Sequence, residues 1–358
     1  MNVTAKKFLY QLLNTPSPTG FELEGQRTWS AYAKKFANAV DIDSYGNTWA
    51  TLNGKKNGPT VMLEAHADEI GFIIKHISKE GFVHIDRIGG SDHATARGRR
   101  IVFLGDKGPV PGIIGNTAIH IRENKTNEKV PDVHELYVDL GAANEKDVEK
   151  LGLRVGHPAV YQDAAEPFGK NRIVGRALDN RIGGFIIAEV LNKLSKLKTP
   201  SAATVYAVNA VHEEIGGLGA KMIAHRLNPD VAVVLDVTHA TDSPDIDHKK
   251  HGKVTLGGGP SVTHGTANHP NVVKRLMDCA KKSKITLQHE SSSRYSGTDT
   301  DQIYHVREGI PAALVSLPLR YMHSVVEMAD YNDIQNVIDL LAAFVQSVKA
   351  TDSFAHKL

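Results

Sequence analysis

Residues 59–66 read PTVMLEAH, a near-continuous apolar run closed by a histidine, with Asp68 two positions further on. Such a run predicts a strand buried on both faces, the kind found inside an α/β sheet rather than at a solvated surface. In open α/β sheets ligands gather beyond the carboxyl ends of the strands, so His66 and Asp68 stand where chemistry is expected to begin.

Upstream, residues 1–14 place Phe8, Leu9, Leu12 and Leu13 at helical spacing, and the turn-rich stretch TPSPTG at 15–20 ends that helix. Downstream, from about Glu69 to Pro167, the texture changes. Short β-rich runs at 71–77, 81–85, 100–104 and 136–140 are separated by turns containing Gly, Pro and Asp, which predicts a small inserted β-domain over 69–167. Beyond it, strand and helix patterns alternate: a helix over 183–194 and strands over 203–211, 231–237 and 312–317. Ile334, Val337, Ile338, Leu341, Val345 and Val348 keep one apolar face, as a helix packed on a sheet does. The expected fold is therefore α/β, a mixed sheet covered by helices built from 1–68 and 168–358, carrying the inserted domain.

A chain of 358 residues, 41% of them hydrophobic, exceeds the roughly 250–300 residues at which single cores stop growing, in keeping with that division. Its 42 basic and 40 acidic residues balance, so charge gives no reason to expect nucleic acid or an anionic membrane as partner. No apolar run approaches the roughly 18–20 residues needed to span a bilayer, and the first helix lacks a secretory apolar segment, so a soluble cytoplasmic protein is expected. Cys279 is the only cysteine, which excludes a disulfide framework and a multi-thiolate zinc site. Eighteen histidines are the better supply of metal ligands.

The polar residues at the expected strand ends are one-sided in type. His66 and Asp68 follow the first strand, Glu213 and Glu214 the strand near Val211, Asp236 closes its own strand, and His323 follows the last; Asp179 precedes a helical run, where it caps the helix or faces the same crevice. Singly each has a plain structural explanation, Asp179 as an N-cap and the glutamate pair as solvated charge before a turn. Together they put more negative charge in one place than a protein keeps without a cation. Imidazole and carboxylate without thiolate suit zinc, cobalt or manganese, and a carboxylate can bridge two ions about 3.5–4 Å apart. In the His-x-Asp spacing, Asp68 is placed to accept the spare imidazole proton of His66. One of the adjacent glutamates is then free to act as a base while the other touches metal.

These residues sit in motifs that, taken together, resemble the tetrahedral-assembly aminopeptidases, relatives of glutamyl and deblocking aminopeptidases, some formerly labelled endoglucanases. The motifs are AHADEIG at 65–71, GRALDNRIG at 175–183, EEIG at 213–216 with Gly219 and Ala220, VLD at 234–236, GTD at 297–299 and LRYMH at 319–323. The resemblance runs over nearly the whole chain. It implies a zinc-peptidase-like catalytic domain with a PDZ-like β-barrel inserted in it, and removal of amino-terminal residues from peptides. It further implies two divalent ions, zinc or cobalt, with Asp179 bridging them, His66 and Asp236 completing one, and Glu214 and His323 the other. Glu213 would be the general acid and base, and subunits would pair into dimers that assemble into a hollow dodecamer. Val325 departs from the family, which commonly has proline there.

Other readings stay open at this stage. A glycoside hydrolase would need two acids flanking a sugar at about 5–5.5 or 6.5–9.5 Å, which a histidine-rich cluster does not suggest. A metal-dependent deacylase of a small amide would share the mechanism and differ in substrate, and a binding protein that has lost catalysis would lack the very residues present here. The Ser291 to Ser293 triplet and the 297–299 loop are expected near a substrate pocket, with Asp299 supporting the ligands. His264 and His269 read as surface histidines, and Cys279 as packing.

Overall fold

The computed structural model describes residues 1–122, 129–356 and 358. Three strands lead to the first motif: β1 (Ala39–Ile42), β2 (Thr48–Leu52) and β3 (Thr60–His66). Six more follow at once: β4 (Gly71–Ile77), β5 (Val83–Ile88), β6 (Arg100–Gly105), β7 (Gly108–Ile114), β8 (Tyr137–Asp139) and β9 (Pro158–Tyr161). They close into a barrel in the order β4-β5-β8-β7-β6-β9, every pair antiparallel, around an apolar cluster that includes Phe72, Ile85, Phe103 and Val138.

The chain then returns through β10 (Glu166–Phe168) and β11 (Arg172–Gly175), and continues with β12 (Thr204–Ala210), β13 (Val231–His239), β14 (Ser261–His264), β15 (Gln288–Ser291), β16 (Ala312–Leu319) and β17 (Glu327–Asp330). The main sheet has the order β1-β2-β12-β3-β13-β16-β14-β15, and β10-β11-β17 form a small antiparallel sheet of their own. The sheet is mixed, but its four central strands, β12, β3, β13 and β16, are mutually parallel. Their carboxyl ends therefore lie along one edge, and everything that follows those ends is brought together.

Parity along the strands decides which face each residue joins. Val61, Leu63 and Ala65 of β3, with Val233 and Leu235 of β13, pack beneath helices Val3–Asn14, Leu178–Ser195 and Tyr331–Ser347. Met62 and Val234 turn the other way, toward helix Leu218–Leu227 and Ile303. His66 and Asp236 share the parity of the second set, so both leave the sheet on that face. Gly183 lets the long helix lie against β3, because a Cβ there would come within 2.9 Å of the Ala65 Cβ. Among the described residues no helix is long and apolar enough to cross a membrane.

Candidate metal centre

His66 ends β3 with its imidazole buried, and its Nε2 lies 3.2 Å from Asp179 Oδ1, 3.7 Å from Asp236 Oδ1 and 3.7 Å from Glu213 Oε2. Asp179 reaches this point because the start of its helix is broken: Asp179 and Asn180 have non-helical dihedrals, so the carboxylate turns into the crevice and the helix proper follows. The second oxygen of Asp179 lies 3.3 Å from Nε2 of His323, which in turn stands 3.5 Å from Glu214 Oε2. Six of the seven polar side chains singled out at the strand ends, all but Asp68, therefore line one crevice of about 700 Å3.

Two groups of donors each fall within 4.8 Å of one another, His66 with Glu213 and Asp236, and His66 with Asp179 and Glu214. His323 stands outside both groups, yet its distances to Asp179 and Glu214 put it on the far side of the same cluster. Glu214 Oε1 is buried without a hydrogen-bond partner, a donor atom awaiting a positive neighbour.

Asp68 does more than the sequence suggests. His66 Nδ1 is 3.2 Å from the Asp68 carbonyl oxygen and 3.4 Å from its Oδ1, so the backbone shares the task of fixing the ring. The fully buried carboxylate accepts the backbone N–H groups of Glu213 and Glu214, each at 3.1 Å, and the Thr19 hydroxyl at 2.8 Å. It thus ties the end of β3 to the turn that carries both glutamates. The neighbouring motif residues are structural: buried Glu69 pairs with Arg176 and receives Ser17 N–H, while Arg181 donates to the carbonyls of Leu12 and Thr15.

The electrostatics show a cluster with too much negative charge for its own histidines. Burial pushes Glu213 up to about 10, against the pull of His66 and aided by Asp236, Asp299 and Asp179. Burial likewise lifts Glu214 well above the usual carboxylate range, with Asp179 adding to it, and raises Asp236. Asp179 is the exception, for although burial opposes it, His323 and His66 hold it below the ordinary value. Burial opposes a charged His66 too, but Glu213, Asp179, Asp236 and Asp68 together raise it well above a free imidazole. Divalent cations would relieve this crowding, and a donor set of imidazole and carboxylate oxygen fits zinc or cobalt.

Of the residues around the site, Asp299 was expected to support the ligands, whereas Glu327, Glu64 and Gly90 were not anticipated. Glu327 on β17 is buried and accepts the N–H of Asp179 with Oε2 at 3.1 Å and that of His323 with Oε1 at 2.8 Å. Glu64 and Asp299 face each other in full burial behind the cluster; burial lifts Glu64 to about 8, and burial with Glu64 beside it lifts Asp299 well above its usual value. Gly90, on the corner after β5, accepts His323 Nδ1 at 3.1 Å. The Ser291 to Ser293 triplet lines an adjoining crevice of about 290 Å3 that shares Val237, Thr238, Ser296 and Thr298 with the main one. His264 contacts His289 at 3.0 Å, and His269 caps helix Pro270–Ser283, so neither joins the cluster. Cys279 is buried in that same helix.

What the parallel strand ends gather is chemistry for polarising a scissile bond with cations, and the fold and site together define a metal-dependent hydrolase. The chain belongs to the M42 glutamyl aminopeptidase family, whose model matches residues 46–340. It is an aminopeptidase, a peptide-bond hydrolase dependent on divalent metal. It is 33% identical to the lysyl aminopeptidase of Pyrococcus furiosus over 97% of this chain and 98% of that one. An aminopeptidase of the archaeon Desulfurococcus kamchatkensis superposes with a TM-score of 0.89 at 33% identity, covering 97% of this chain and 96% of that chain. A TET aminopeptidase from a marine-sediment thaumarchaeote gives 0.91 at 29% identity, covering 97% of each.

Proposed function

We propose that the crevice holds two divalent cations, zinc or cobalt, with Asp179 between them, His66 and Asp236 completing one set of ligands and Glu214 and His323 the other. The observation that carries this reading is the division of the Asp179 carboxylate, one oxygen 3.2 Å from His66 Nε2 and the other 3.3 Å from His323 Nε2. The cations, when bound, supply Lewis-acid polarisation of the substrate carbonyl and acidify the attacking water. Glu213 faces the crevice, and once the cations offset the surrounding carboxylates it would be ionised, placed to take the proton from that water and give it to the leaving amine nitrogen. It is assigned this role rather than a ligand's on the resemblance to the family, which gives His66, Asp179 and Asp236 to the cation on its side. Asp68 keeps His66 in the tautomer that turns Nε2 to the metal.

The substrate class is peptides with a free amino terminus, as the family's name implies. The segment 69–167 serves as an assembly domain, pairing subunits into dimers that build a dodecamer; the similarity to a TET aminopeptidase supports a homo-oligomer of this kind. The lone free cysteine fits a reducing compartment, the cytoplasm.

Stripping the protein with a chelator, restoring it with zinc or cobalt, and comparing a free-amine dipeptide with its N-acetylated form tests the reading. Loss on stripping, recovery on metal addition and turnover of the free amine alone are expected. Equal turnover of the acetylated form would instead point to a deacylase.

A further inference from the structure

The inserted barrel touches the metal centre through one corner, at Gly89 and Gly90, between β5 and the turn His93–Thr95. The Gly90 carbonyl lies 3.1 Å from His323 Nδ1. A carbonyl oxygen can only accept, so Nδ1 carries the proton and Nε2 is the nitrogen presented to Asp179 and Glu214. The same glycine packs against the ring. A Cβ at Gly90 would stand 2.6 Å from His323 Nδ1 and 2.7 Å from its Cε1, closer than real atoms come. The φ of Gly90 lies outside the left-handed range, so the imidazole, not the backbone, excludes a side chain here.

The loop bearing His323 is gripped by the barrel at a second point. Val325, two residues on, is buried in the barrel's own apolar cluster with Phe72 and Tyr161. Ser91 closes the corner by donating from Oγ to the Gly71 carbonyl at 3.0 Å.

We infer that Gly90 is a positioning residue for the catalytic centre: the barrel, through the carbonyl and the bare α-carbon of Gly90, sets the tautomer and the place of His323 and thereby completes the second cation site. This rests on the two-cation reading above. The barrel is on this account part of the active site as well as an assembly element.

The test is a cobalt titration of metal-stripped full-length protein, followed by visible absorption and by equilibrium dialysis, for wild type, Gly90→Ala and the barrel control Gly98→Ala. Gly98 is exposed with a φ of +78°, and a Cβ there meets nothing within 4 Å, so alanine at Gly98 strains the barrel without touching His323. Wild type and Gly98→Ala are expected to take up two equivalents. Gly90→Ala should bind the first with wild-type affinity and the second at least tenfold more weakly, with a changed cobalt spectrum for that step alone. Wild-type affinity for both equivalents in Gly90→Ala would overturn the inference, as would the same loss in Gly98→Ala. Fewer than two equivalents in wild type would overturn the two-cation reading itself, and this inference with it.

Discussion

Glu327 accepts the backbone N–H of Asp179 at 3.1 Å, and with its other oxygen it accepts that of His323 at 2.8 Å. A single buried carboxylate thereby fixes the main chain beneath two side chains that arrive from opposite directions, one from the start of a long helix and one from the loop after β16. It does not line the crevice itself. Its surroundings hold its proton affinity well above normal, through burial first and the nearby Asp179 charge second, while both N–H donors favour the ionised form.

Glu327→Gln replaces one of these two acceptors by an NH2 group facing a backbone N–H. Leaving a buried donor unsatisfied costs about 1–3 kcal/mol. Calorimetry should show a lower melting temperature, and metal titration a weaker cation site at His323. A variant with wild-type melting temperature and metal content would show that the clamp is dispensable.

Glu213→Gln keeps size and removes the proposed proton carrier. General acid and base groups contribute about 10²–10⁴-fold, so kcat should fall by that order while metal content stays at its wild-type value. Retained kcat would refute the role of base, and loss of metal together with activity would make Glu213 a ligand instead, as its distance to His66 also permits.

Asp68→Asn tests the link between β3 and the glutamate turn. The amide must present its NH2 to the N–H of either Glu213 or Glu214, and it weakens the setting of His66. Partners that orient metal-binding histidines typically matter by about 10–100-fold, and a drop of that size in kcat/KM is expected. Thr19→Val, which removes only the hydroxyl donated to Asp68, should show a smaller loss of the same kind.

Metal removal should make stability depend on pH. Glu213 has a folded value of about 10 against 4.5 for a free carboxyl, so the folded chain keeps a proton that the unfolded chain releases. That contribution is complete below about pH 4.5 and is lost as pH rises toward about 10. Glu64 adds the same trend between 4.5 and about 8. Asp179, held low, acts the other way and lends stability that disappears only on acidification. Chelator-treated protein should therefore melt lower at about pH 9 than at about pH 6, and metal-loaded protein should resist that fall. Parallel pH profiles for the two forms would contradict this.

Much of the site was legible in the sequence because parallel strands deliver their ends to one edge: His66 ends β3, Glu213 and Glu214 follow β12, His323 follows β16, and Asp236 lies in the last part of β13, which runs on past it to His239. The inserted β-rich texture read as a small β-domain, the resemblance to the family implied a barrel there, and the strands β4 to β9 do close into one. Asp179 was ambiguous since a helix start and a broken helix start look alike in sequence, and only the dihedrals at Asp179 and Asn180 separate them. Glu327 was invisible for a different reason: it acts on the backbone of residues 148 and 4 positions away, and an acid opening the short run EMAD carries no local sign of that. Gly90 lay within the barrel, where a glycine pair after a strand reads as a turn; its contact with His323 spans 233 positions. Val325, conspicuous in sequence only as a departure from proline, turns out to anchor the His323 loop in the barrel.

The most direct measurement is anomalous diffraction from crystals of the zinc- or cobalt-loaded protein. The account predicts two peaks about 3.5–4 Å apart astride the Asp179 carboxylate, one beside His66 and Asp236 and the other beside His323 and Glu214. A single peak, or peaks that leave Asp179 uncoordinated, would contradict it.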